Sequence, residues 1–71
     1  MTPREHELLN GMGNCYATCG EDFQHTMRMV AHARGRTVED VKATLAEMKA
    51  KYNADPEYVN LRKRLPAEFP L

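Results

Sequence analysis

A chain of 71 residues with 42% hydrophobic residues, five Met, no Trp and five aromatics reads as one domain with a modest core, because a chain this short buries only about 60% of the surface its unfolded form exposes. Ten basic and ten acidic side chains cancel, which excludes a chain built mainly to coat nucleic acid or an anionic membrane. A closed pocket for a sizeable substrate would consume the core, so no small-molecule substrate and no cofactor are expected, and the chain is not read as an enzyme.

The charge is uneven along the chain. Residues 1–26 set one basic group (Arg4) against four acidic ones, a net of −3, and residues 27–71 set nine basic against six acidic, a net of +3. No apolar run exceeds three residues, so neither a transmembrane helix nor a signal-peptide core is expected, and the expected location is cytoplasmic. Two cysteines do not make a secreted disulfide framework. In a reducing compartment Cys15 and Cys19 are expected to be thiols in small core positions.

In chain order, Thr2-Pro3-Arg4-Glu5 has the form of a helix start: a hydroxyl cap, Pro at the first helical position and Glu closing a capping box. Leu8, Leu9 and Met12 give the apolar face of a first helix over about 3–11. Asn10, Gly11, Gly13 and Asn14 are poor helix residues and predict a turn there. A second reading stays open, because Leu8, Met12, Tyr16, Cys19, Phe23, Met27 and Val30 keep helical spacing through the glycines.

Thr18-Cys19-Gly20-Glu21 repeats the capping signature and predicts a second helix over 21–34, with Phe23, Met27, Val30 and Ala31 inward and Gly35 as a left-handed stop. Thr37-Val38-Glu39-Asp40 opens the most strongly patterned helix, 37–53. There Val38, Val41, Leu45, Met48 and Tyr52 share one face, and Glu47 precedes Lys51 by four residues as a surface ion pair. Asp55-Pro56-Glu57 starts a short fourth helix over 56–64, with Tyr58, Val59, Leu61 and Leu65 able to pack inward, Arg62, Lys63 and Arg64 as a basic cluster, and Pro66 as a stop. The expected fold is all-α: one domain over 1–65 and a non-helical tail over 66–71, with Leu8, Leu9, Met12, Phe23, Met27, Val30, Val41, Leu45 and Met48 as the core.

These elements offer residues for four chemistries. Ala31, Gly35 and Val41, flanking a tight turn between two helices, have the spacing of a helix-turn-helix. Thr2-Pro3-Arg4-Glu5-His6-Glu7-Leu8-Leu9 resembles the opening helix of LuxR-type helix-turn-helix domains, and Thr37-Val38 with Leu45 resembles the start and core of their recognition helix. This likeness spans about a third of the chain, and the turn is shorter than that family uses. It implies DNA binding through residues 30–51, and the basic groups available for phosphate contacts are Arg36, Lys42, Lys49, Lys51, Arg62, Lys63 and Arg64. Glu39 and Asp40 at the helix start oppose that reading, since phosphates repel them.

A metal site could draw on Cys15 and Cys19 with His6 or His25, but His25 and His32 lie about 10 Å apart along one helix, so no closed four-ligand site is expected. Glu21, Asp22 and His25 cluster without a nucleophile, and Ser is absent, so no active site is assigned. Adaptable apolar surface from the methionines points instead to a protein-interaction module, with a protein partner or a homodimer. Met29, Tyr52, Phe69 and Leu71 are the candidate contact residues, Phe69 and Leu71 being placed either back on the body or against another chain.

Overall fold

The computed structural model describes residues 1–19, 22–67 and 69, with the side chain of Cys19 left aside. Among the described residues four helices follow in order: α1 (Pro3–Cys19), α2 (Phe23–Ala33), α3 (Val38–Tyr52) and α4 (Pro56–Arg62). The architecture is all-α, as expected, with three main helices and a short fourth. Helix α1 packs against both α2 and α4, and α2 packs against α3. The best-patterned helix, α3, is therefore not the hub.

Each start follows from a side chain that satisfies an orphan backbone N–H. Thr2 and Glu5 form the reciprocal capping box of α1: the Glu5 N–H donates to Thr2 Oγ1 (3.2 Å) and the Thr2 N–H to Glu5 Oε1 (2.8 Å). Thr37 Oγ1 accepts from the Asp40 N–H at 3.1 Å and Asp55 Oδ1 from the Glu57 N–H at 2.8 Å. Helix α2 ends in a Schellman motif. The Arg36 N–H reaches Ala31 O at 2.9 Å and the Gly35 N–H reaches His32 O at 3.1 Å, and Gly35 uses a glycine's left-handed freedom at φ 64°.

Two expectations are corrected. The first helix does not stop at residue 11 but runs through Gly11 and Gly13 to Cys19. The reason is tertiary: the Arg34 guanidinium lies where a Cβ on Gly11 would be, and Arg64 Cβ, Nε and Cζ all come within 3.3 Å of where a Cβ on Gly13 would be. The glycines make room for arginines crossing from the ends of α2 and α4, and Asn10 and Asn14 accept from the Arg64 guanidinium. The second helix is not capped by Thr18, whose hydroxyl donates to Asn14 O (2.8 Å) within α1. Asp22 caps it instead, accepting from the His25 N–H at 2.7 Å; Gly20 and Glu21, the rest of the expected signature, lie outside the described residues.

The core holds Leu8, Leu9, Met12, Met27, Val30, Val41, Leu45 and Met48, with Ala31, Tyr58, Leu65 and Phe69 added and Phe23 half-buried against it. Thr26 is a buried polar residue, and its hydroxyl donates to Asp22 O at 3.0 Å. Phe69 takes the first of its two alternatives. It is 2% exposed, stacked edge-on against Phe23 with ring centres 4.8 Å apart and against Tyr16 at 6.1 Å. The turn leading to it is held by Arg62, whose guanidinium donates to the carbonyls of Leu65, Pro66, Ala67 and Phe69 at 3.1–3.4 Å.

Candidate functional site

The seven basic residues proposed for nucleic acid are not brought to one surface. Arg62 is turned inward on the tail carbonyls and Arg64 is bonded to Asn10 and Asn14. Arg36 donates through Nε to Asp40 Oδ2 at 2.8 Å, and this pair raises the Arg36 pKa and lowers that of Asp40. Asp40, in the first turn of α3, is thus paired with Arg36. Lys51 lies 3.7 Å from Glu5 Oε2 and over the Tyr52 ring. Lys42, Lys49 and Lys63 are exposed, and Lys42 and Lys49, seven residues apart, share one face of α3.

Of the residues offered for partner contact, Met29 is the exposed large hydrophobic, at 48%. Tyr52 is half-buried and donates its hydroxyl to Glu5 at 2.8 Å; Phe69 is buried, and Leu71 lies outside the described residues. Cys15 is half-buried. Among the described residues no three His, Cys, Asp or Glu side chains gather around a point that could hold a metal ion. Asp22 of the acidic cluster at residues 21–25 is a helix cap. No helix among the described residues is long and apolar enough to cross a membrane.

Two grooves remain. One, of about 420 Å³, runs between α2 and α3, with Phe23, Met27 and Val38 as its apolar floor and Arg28, Lys42 and Glu39 on its rim. The other, of about 680 Å³, is framed by the start of α1, the end of α2 and the middle of α3, and apart from Leu8 its lining residues carry charged or hydroxyl groups.

Glu5, on the wall of the second groove, is the group sequence reasoning missed. Its carboxylate accepts from the Thr2 backbone N–H and the Tyr52 hydroxyl and lies beside Lys51, which together hold its pKa at about 2 against an ordinary 4.5. The signal was present only as a capping-box Glu; nothing in the local pattern announces a partner 47 residues away. Because the folded-state pKa is depressed, the unfolded chain binds the proton more readily between the two values, so stability rises with pH across that window. The Glu5 contribution is fully present above pH 4.5 and is lost as pH falls toward 2. Glu5→Gln is therefore expected to flatten the fall in thermal midpoint between pH 4.5 and 2; a variant whose midpoint falls as steeply as the parent's would remove Glu5 from this role.

No known protein family, no characterised protein and no solved structure matches the chain. The site must be read from its own chemistry.

Proposed function

We propose that this chain is a small helical binding module without catalysis of its own, and that its partner is a protein that lays an apolar, acid-flanked segment into the groove between α2 and α3. The observation that carries the reading is the groove itself: Phe23, Met27 and Val38 offer apolar floor beside Arg28 and Lys42. An amphipathic segment would gain apolar burial on that floor and charge complementarity at the rim.

A photo-crosslinking residue placed at Gln24, on the groove rim, tests this in cells of the source organism against the same residue at Glu47, away from it. The expected result is a protein adduct from position 24 that Lys42→Glu abolishes. Equal adducts from both positions, or an adduct indifferent to Lys42→Glu, would sink the reading.

The alternative, a helix-turn-helix acting on DNA through residues 30–51, draws support from the tight Gly35 turn and from Lys42 and Lys49 on one exposed face of α3. Its cost is the engagement of Arg36, Lys51, Arg62 and Arg64 by internal partners. An amide-shift titration with a mixed-sequence duplex separates the two: salt-sensitive shifts concentrated in residues 36–51 would favour DNA, and none at low salt would exclude it.

A further inference from the structure

The second groove lies outside the proposed partner surface, and its donors and acceptors are unevenly used. Its two carboxylates are occupied. Glu7 is held by Arg34, through Nε at 3.1 Å and through Nη2, and Glu5 is held by Thr2, Tyr52 and Lys51 as described above. Its donors are not. Thr44 Oγ1 accepts from Arg36 Nη2 at 2.5 Å and keeps its own O–H to give; Thr2 Oγ1 accepts from the Glu5 N–H and does the same. Arg36 Nη1 and the guanidinium of exposed Arg4, both on the groove, have no protein acceptor among the described residues. Three separate segments thus bring unspent N–H and O–H donors to one concave surface over the buried side chain of Leu8.

Three guanidiniums against two carboxylates leave the lining one positive charge in excess. That balance suits one small oxyanion and not a polyanion. We propose that the groove bounded by Thr2, Arg4, Arg36 and Thr44 binds a single phosphate or carboxylate group, with the two arginines supplying charge-assisted hydrogen bonds and the two hydroxyls completing its shell. Arg34 takes no direct part; by holding Glu7 it keeps that carboxylate from competing with the ligand for the open donors.

The test is a titration of the nitrogen-15-labelled full chain at pH 7 in a buffer free of phosphate. Inorganic phosphate and acetate are added separately, each against sodium chloride at equal ionic strength. Saturable shifts at the Thr2, Arg4 and Thr44 amides and at Arg36 Nε–H, with either anion, are the expected result, and the tighter anion identifies the preferred group. Arg4→Gln, at an exposed position, and Thr44→Val, which keeps the side-chain shape, are each expected to weaken the anion by about tenfold, while Lys63→Gln leaves it unchanged. Shifts that stay linear in concentration and equal those of chloride would overturn the proposal, and so would affinities untouched by both variants in spectra that remain folded.

Discussion

Phe69→Ala is expected to lower stability by about 3–5 kcal/mol, the cost of emptying a buried aromatic site. For a domain of this size that corresponds to a fall of at least about 12 °C in thermal midpoint. The ring is 2% exposed and is the shared partner of Tyr16 and Phe23, so its removal opens a space lined by two half-exposed aromatics from the end of α1 and the start of α2. The four carbonyls that Arg62 gathers also depend on the turn that Phe69 anchors. Phe69→Leu should recover part of the loss by refilling the site. A midpoint within about 3 °C of the parent for Phe69→Ala would mean that the segment after α4 does not belong to the packed body in solution.

Leu9→Ala should be nearly as damaging, at about 2–5 kcal/mol. Leu9 is 0% exposed and sits on α1, the helix that packs against both α2 and α4. A cavity there loosens two interfaces at once, and against a total stability of about 5–15 kcal/mol it would leave a measurable unfolded fraction. Urea titration is the suitable readout, since an unchanged slope with a lower midpoint assigns the loss to the native state. A midpoint that does not move would show that α1 can repack, and would remove it from the centre of the fold.

What could be read in advance was whatever is settled within about four residues along the chain. The face of α3 made by Val41, Leu45 and Met48, the Thr2–Glu5 capping box and the Asp55-Pro56 start are local devices, and each has the expected role. Gly11 and Gly13 illustrate the limit. A glycine in a helix costs about 0.5–1 kcal/mol relative to Ala, which argues locally for a stop, but the penalty is outweighed by Arg34 and Arg64 lying across the helix from more than twenty residues away. Arg62 and Arg64 show the same limit of a local reading. A run of three basic residues reads locally as a basic cluster, whereas the planar, many-donor heads of the two arginines donate to carbonyl and amide oxygens of the protein itself. Both grooves depend on residues from elements separated in sequence, so no periodicity within one segment could have found them.

The order of helix contacts bears on how the chain assembles. The α1–α2 and α2–α3 interfaces join elements adjacent in sequence, so they need only short loops to close and can form on local encounters. The fourth helix returns to the first, through His6 with Glu57 at 2.5 Å and Arg64 with Asn10 at 2.6 Å, pairs 51 and 54 residues apart. Those contacts must wait until most of the intervening chain is ordered, because closing so long a loop in a disordered chain carries an entropy cost that nothing yet offsets. On this ground the first three helices are the expected nucleus and α4 the element expected to dock last. Conservative truncations in α4 should then accelerate unfolding while leaving the refolding rate nearly unchanged; a variant that slowed refolding in proportion to its lost stability would place the closure at the start of folding instead.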